Sequence, residues 1–229
     1  YYNKKAGSLT DITVFSFHAV KNLTTVEGGA IAFNMPKPFS NDDLYDEFNI
    51  MALHGQTKDA LAKTQGGKWK YDVISAGYKA NMTDILASIG LVEIDRYEHD
   101  TLVKYKQIFD KYNEVFKKYT WAEMPVYQKH KRTSAFHIYM LRIKGISEEQ
   151  RDLIIQKIFD KGVSVNVHFI PLPMLSVYRN KGYDISHYPV AYNSYSREIT
   201  LPAYYDLTEE QIDIIINSVV DSVSEVLIR

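Results

Sequence analysis

A mixed α/β fold in two parts is predicted for this chain, with a long helix leading from one part into the other. Three observations predict it. Short β-branched and aromatic runs of period two alternate with amphipathic segments whose period is about 3.6. The patterns Ser147-Glu148-Glu149-Gln150 and Thr208-Glu209-Glu210-Gln211 mark two helix starts, where side chain and backbone can cap each other reciprocally. The periodic segment that opens at Thr83 continues as far as Phe116, which is long for one straight helix.

In chain order, Thr13-Val14-Phe15-Ser16-Phe17 reads as a short buried strand. A polar stretch from His18 to Glu27 follows, and Gly28-Gly29 turn the chain into Ala30-Ile31-Ala32-Phe33, a second buried strand able to return beside the first. Met35-Pro36-Lys37-Pro38 ends it. Asp42 to Leu53 has helical character and closes near Gly55, and Gln56 to Lys70 reads as a polar surface loop. Thr83 is the predicted N-cap of the long segment, with Asp84 in the first turn, where the helix dipole favours negative charge. Ile85, Ile89 and Val92, then Tyr105, Ile108, Phe109, Tyr112, Val115 and Phe116, recur at helical spacing, with a bend expected at His99-Asp100.

Phe136 to Ile143 reads as a strand. Ser147 starts a helix that ends with Lys161, just before Gly162. Val163, Val165, Val167 and Phe169 alternate with Ser164, Asn166 and His168, so a strand with one apolar and one polar face is expected. Glu198 to Leu201 is another short strand. Thr208 opens a final amphipathic helix through Ile212, Ile215, Ile216, Val219 and Val223. From about residue 120 onward the order of strands and helices suggests a compact α/β or α+β subdomain.

Composition narrows the function. Of 229 residues, 45% are hydrophobic and 24% charged, an ordinary balance for a globular chain with a core. Lys plus Arg (27) nearly match Asp plus Glu (28), so no overall field favours nucleic acid or an anionic membrane. No apolar run approaches the roughly 20 residues needed to span a bilayer. There is no cysteine, which rules out disulfides, thiolate metal sites and a cysteine nucleophile, and fits a reducing cytoplasm. The histidines show no metal-ligand spacing, so no metal is expected. The 18 tyrosines are expected in packing rather than in chemistry, and Lys129-His130-Lys131-Arg132 in a solvated loop. The opening Tyr1-Tyr2-Asn3-Lys4-Lys5, without a methionine, suggests a chain cut from a longer one.

The most specific pattern runs from Phe15 to Ala30. It sets one lysine, Lys21, on a polar connection between two predicted strands, with Ser16 and Asn22 beside it and a glycine pair beyond. A lysine amine becomes nucleophilic when partial burial or a cationic neighbour lowers its pKa, which suits Schiff-base formation. From the spacing alone, an exposed turn lysine is the simpler reading. The run Ser16-Phe17-His18-Ala19-Val20-Lys21-Asn22-Leu23, followed by Glu27-Gly28-Gly29, resembles the active-site segment of the DegT/DnrJ/StrS family of sugar aminotransferases. One departure is Val26, where the family usually has glycine or another small residue, and altered loop packing is expected there. Gly77-Tyr78-Lys79-Ala80-Asn81-Met82-Thr83-Asp84-Ile85 is similar to a second family segment, although a simple turn with a helix cap would also account for it. Leu53-His54-Gly55 with Lys58-Asp59-Ala60, Val167-His168-Phe169-Ile170-Pro171-Leu172-Pro173, and Glu198-Ile199-Thr200-Leu201-Pro202 with Leu207-Thr208 match further segments in the family's order. The resemblance covers almost the whole chain.

The resemblance implies a partial fold type I, aspartate-aminotransferase-like architecture. Residues 1–95 would be the remainder of a large domain that binds pyridoxal 5'-phosphate, and residues 96–229 a long linking helix and a small C-terminal α/β domain. It implies that Lys21 carries the cofactor as a Schiff base, that Ser16 contacts its phosphate, and that Asn81 reaches the phosphate of a neighbouring subunit in a homodimer with shared sites. His54 and His168 would be substrate-pocket residues, with a structural hydrogen-bonding role as the alternative for each; His18 would lie near the cofactor without an assigned role. The implied reaction passes an amino group from an amino acid, glutamate in most members, to a keto group of a nucleotide-linked sugar, in making amino sugars for polysaccharides or other glycoconjugates. In the family the aspartate that holds the cofactor ring nitrogen precedes the lysine segment, and Tyr2 to Thr13 resembles the connection that follows its strand. The chain by itself is therefore expected to be catalytically incomplete. The rival readings are a sugar dehydratase of the same family that uses the same cofactor, and a non-catalytic fragment or assembly module of this fold.

Overall fold

The computed structural model describes residues 1–57 and 71–227. The chain divides into two compact units, Tyr1–Tyr97 and Glu98–Arg229. The matched residues Lys58, Asp59 and Ala60, and most of the loop expected up to Lys70, lie outside the described residues.

In the first unit, β1 (Ile12–Ser16) and β2 (Gly29–Phe33) form an antiparallel pair in which Ile12 faces Phe33 and Ser16 faces Gly29. The expectation of buried strands is corrected here. Val14 is 73% exposed, and Ile12 and Ile31 are exposed as well. Two strands have no second layer of their own, so the side chains on the face shared by Ile12 and Val14 stay in solvent. Helix α1 (Asn41–Ala52) starts at Ser40, whose hydroxyl accepts the Asp43 N–H at 3.2 Å. It ends where His54 (φ 60°) and Gly55 (φ 71°) enter left-handed backbone. Helix α2 (Asp84–Arg96) is capped by Thr83, which accepts from the Leu86 N–H, and buries none of its residues. A π-helical turn at Tyr97–Thr101 follows, spanning the position where the bend is expected, and then α3 (Leu102–Phe116).

The second unit holds the core. Strands β3 (Ala122–Glu123) and β6 (Tyr139–Ile143) pair antiparallel, and β6 pairs in turn with β7 (Glu198–Leu201). A small hairpin, β4 (Gln128–Lys129) with β5 (Arg132–Thr133), carries the basic run at its exposed turn. Helices α4 (Glu148–Asp160) and α7 (Glu209–Leu227) pack with α3 on the sheet, and α5 (Ser176–Arg179) and α6 (Pro189–Tyr195) lie between α4 and β7 in the chain. Both expected capping boxes form. Ser147 and Gln150 exchange hydrogen bonds at 2.9 and 3.3 Å, and Thr208 and Gln211 at 3.0 and 3.2 Å.

Tyr139, Leu141 and Ile143 point inward from β6 and meet Ile108, Phe109, Tyr112 and Phe116 of α3, which recur one helical turn apart. The rings of Phe109 and Tyr139 meet nearly edge-to-face, with centroids 5.0 Å apart. Two buried phenols find acceptors, Tyr112 on the Pro202 carbonyl at 2.7 Å and Tyr139 on Asn113 Oδ1 at 2.5 Å. Burial holds both phenols above their ordinary pKa.

Two expectations are corrected in this unit. Strand β6 begins at Tyr139 and not at Phe136, because Phe136 has φ 54° and gives its N–H to Ser134 Oγ at 3.0 Å. The strand expected over Val163–Phe169 reduces to one paired position, Asn166 with Thr200. Side chains take the N–H groups beyond it: Asn166 Oδ1 accepts from Val167 at 2.7 Å and the Glu198 carboxylate from His168 at 2.9 Å. The ladder has no donors left to continue, and Phe169 ends 74% exposed. Among the described residues no helix is long and apolar enough to cross a membrane.

Candidate active site

The connection between β1 and β2 is held by its own polar groups. Phe17 donates its N–H to the Gly28 carbonyl at 2.8 Å, and Thr25 donates its N–H to the Phe17 carbonyl at 2.9 Å. The Thr24 hydroxyl donates to the same carbonyl at 3.1 Å and accepts the Val26 N–H at 2.9 Å. Thr25, only 1% exposed, donates its hydroxyl to the Glu27 carbonyl at 2.8 Å. Asn22 is also buried. Val26 sits at φ 69°, the left-handed region that suits glycine and strains a β-branched residue, which gives a physical reason for a glycine at this position.

Lys21 rides on this frame. Its N–H closes a turn onto the His18 carbonyl at 2.9 Å, and its side chain is half-buried. Among the described residues its ammonium makes no hydrogen bond or ion pair. Ser16 ends β1, exposed; its oxygen accepts the His18 N–H at 3.4 Å, and its hydrogen is uncommitted among the described residues. His18 and Glu27 face each other at 3.7 Å on the exposed side.

The loop seats directly on the second matched segment. A Cβ added at Gly28 would fall 2.4 Å from Thr25 Oγ1 and 2.7 Å from Met82 Cε, and one at Gly90 would fall 2.9 Å from Thr25 Cγ2. The start of α2 and the lysine loop are therefore in close contact. Asn81, one residue before Met82, is exposed; its Oδ1 accepts from Lys79 Nζ and its amide donates to the Met82 carbonyl at 3.4 Å. His54 is exposed too, and its N–H bonds the Tyr78 carbonyl at 2.8 Å. The two segments come together at their backbones, since a Cβ at Gly77 would lie 2.2 Å from the Gly55 nitrogen. The structure thus brings the Ser16–Lys21 connection, the His54–Gly55 turn and the Asn81 segment together in the first unit.

His168 belongs to the second unit and has surroundings of its own. Its Nδ1 lies 2.8 Å from Thr200 Oγ1, and Thr200 donates to Glu198 Oε1. Burial pushes the Glu198 carboxyl up, while the Thr200 hydroxyl, the His168 N–H and the charges of Arg151 and Arg142 pull it back. Arg151 is 2% exposed and donates to the Tyr195 and Glu198 carbonyls at 2.7 and 3.3 Å. Sequence reasoning assigned Glu198 and Thr200 only to a strand, and Arg151 to nothing. A signal was present in both cases: a carboxylate opening an otherwise buried strand, and an arginine in register with Ile154 and Ile158 on the apolar face of α4. An open cleft of about 390 Å³ lies farther along, lined by Pro173, Met174, Arg179 and Tyr183, and none of the expected site residues borders it. Among the described residues no three His, Asp or Glu side chains gather as metal ligands would.

Comparison with known proteins adds a family. A model described as the DegT/DnrJ/EryC1/StrS aminotransferase family matches residues 1–220. The spore coat polysaccharide biosynthesis protein SpsC of Bacillus subtilis is 31% identical over 97% of this chain and 56% of its own length. The UDP-4-amino-4,6-dideoxy-N-acetyl-beta-L-altrosamine transaminase of Campylobacter jejuni (serotype O:23/36) is 28% identical over 90% of this chain and 51% of its own. Among solved structures, a Streptococcus pneumoniae protein assigned as a sugar aminotransferase, Spr1654, superposes in its PMP form with a TM-score of 0.91 at 43% identity, over 99% of this chain and 56% of its own. The same protein is also known in a PLP form. This chain spans about half the length of the curated relatives it matches.

Proposed function

The chain belongs to the DegT/DnrJ/EryC1/StrS aminotransferase family, and from that premise we propose that the protein containing it is a pyridoxal-phosphate-dependent transaminase. It would move an amino group from an amino acid, glutamate by preference, to a keto group of a nucleotide-linked sugar. The observation that carries this reading is Lys21: a half-buried amine with no partner among the described residues, on a connection where the neighbouring threonines are committed to backbone. The sugar part draws on the relatives, one named for spore coat polysaccharide biosynthesis and one for a UDP-linked amino sugar.

The donor set suits the cofactor. Lys21 Nζ would carry it, with the uncommitted Ser16 hydroxyl hydrogen available to its phosphate. The Asn81 amide, exposed just before the N-terminus of α2, where anions are favoured, would serve the phosphate held by a second copy of the chain. A homodimer with shared sites follows from that assignment. When bound, the cofactor supplies a sink for the negative charge left on the donor's α-carbon. Lys21 Nζ would be the group that takes a proton from that carbon and gives it back. His54 and His168 are each read as a substrate-contacting residue, with a structural hydrogen-bonding role as the alternative for each. A cytoplasmic place of action belongs to the same reading and rests on the nucleotide-sugar assignment.

The first unit buries no apolar side chain among its described residues. Since the 229 residues span about half the length of the curated relatives, they are read as catalytically incomplete alone, with turnover belonging to the whole protein. The test is to saturate the whole protein with pyridoxal phosphate, reduce with borohydride and map the modified peptide. The label is expected on Lys21 and is lost in Lys21→Ala. A label on another lysine, or none, removes the proposal.

A further inference from the structure

His168 meets a hydrogen-bond chain through Thr200 and Glu198 whose direction can be worked out from the carboxylate. Glu198 is 3% exposed, and its carboxylate has two donors. The His168 backbone N–H reaches Oε2 at 2.9 Å, and the Thr200 hydroxyl reaches Oε1. Thr200 Oγ1 also lies 2.8 Å from His168 Nδ1. Burial raises this carboxyl, while the two donors and the nearby Arg151 and Arg142 charges oppose that rise and favour the ionised form. The ionised carboxylate then only accepts, and a hydroxyl has a single hydrogen. Thr200 therefore points its hydrogen at Glu198 and a lone pair at the ring, so the ring nitrogen facing it must be the N–H. Arg151 supplies nearby positive charge, with its guanidinium on the Glu198 carbonyl at 3.3 Å and over the Tyr195 ring at 4.8 Å. A buried carboxylate is costly to desolvate, and an apolar residue at the start of β7 would avoid that cost. Fixing a neighbouring imidazole is a physical reason to keep it there.

We propose that Glu198 and Thr200 are a positioning relay that holds His168 in the tautomer with hydrogen on Nδ1 and the lone pair on Nε2, so that His168 meets its ligand as an acceptor for a sugar hydroxyl. The sugar rests on the function proposed above; the tautomer rests on the geometry alone. Neutral imidazole of either tautomer offers one donor and one acceptor, and the hydrogen bond at one nitrogen decides the role of the other.

Long-range proton–nitrogen correlation spectra of the whole protein, with isotope-labelled histidine, read the tautomer directly. His168 is assigned by the signals lost in His168→Gln. The expected spectrum has a pyrrole-type Nδ1 and a pyridine-type Nε2. In Glu198→Gln the amide oxygen stays with the His168 N–H, so the amide NH2 faces Thr200 and donates to it. The threonine hydrogen then turns to Nδ1, and the two ring nitrogens exchange types. Thr200→Val leaves a mixture of tautomers. A merely structural role for Glu198 predicts no such reversal. Wild-type His168 with its hydrogen on Nε2 overturns the relay, as does an unchanged tautomer in a folded Glu198→Gln. Should that variant fail to fold, the wild-type spectrum and Thr200→Val decide. Adding UDP-4-amino-4,6-dideoxy-N-acetyl-beta-L-altrosamine tests the ligand separately. A shift at Nε2 supports a sugar contact; no shift, with the tautomer as stated, removes the sugar and leaves the relay standing.

Discussion

The two units of this chain obey the same local rules and finish with opposite surfaces. Each has capped helices and an antiparallel strand pair. In the second unit three helices close on a sheet, and Leu141, Ile143, Ile154 and Val219 lose all contact with solvent. In the first unit the buried side chains are polar, Asn22 and Thr25, while Val14, Ile85 and Leu91 stand in water. Among its described residues the first unit is held by hydrogen bonding, close backbone approach at glycine and a ring contact between Phe33 and Phe48. A net hydrogen bond contributes about 1 kcal/mol, whereas full burial of a large aliphatic side chain contributes about 1.5–3 kcal/mol. In this chain the proposed lysine thus sits in the unit that buries no apolar side chain among its described residues.

Hydrogen exchange should show the largest effect. Amides of β6 and β7 are expected to exchange at least about a thousandfold more slowly than those of β1 and β2, because the former open only with the core. Equal protection of the two strand pairs, followed by mass spectrometry, would break the comparison. A smaller but sharper contrast comes from one substitution made in each unit. Leu141→Ala removes a side chain with no exposure and should cost about 2–5 kcal/mol in denaturant unfolding. Leu91→Ala trims one that is 71% exposed and should stay within about 0.5 kcal/mol. A large loss at Leu91 would mean that something covers α2.

The smallest effect is on the surface of the second unit. Glu225 accepts from Lys157 at 2.5 Å and from Lys161 at 2.9 Å, which tie α7 to the end of α4. These two ammonium groups hold its carboxyl down at about 2, against an ordinary 4.5. A carboxyl depressed by folding stabilises fully above its unfolded value, and loses that contribution as pH falls through its folded one. Glu225→Gln should therefore lower the melting temperature slightly at neutral pH. The gap should close as pH drops from about 4.5 toward 2. A gap that persists unchanged to the acid end would show that the pair does not titrate with folding.

Much of this was legible along the chain. Ser147 and Thr208 announced their helices through partners three residues on, and the Thr83 cap was equally local. The hairpin around Lys21 followed from two β runs separated by a polar stretch and a glycine pair. The run from Val163 to Phe169 misled because its alternation is real, but its N–H groups found side-chain acceptors instead of a ladder. The site was legible as segments and not as an assembly: nothing in the spacing of Gly28 and Met82, or of Gly55 and Ser75, says that they touch.

By itself the sequence determined where helices begin, which residues form the hairpin, and which lysine the polar connection presents. Those depend on caps and periodicities between residues a few positions apart. Only the tertiary structure decided that Arg151 and Glu198 would be buried together, and that Thr200 would stand between Glu198 and His168. Burial and hydrogen-bond direction depend on partners tens of residues away, and no local pattern names them.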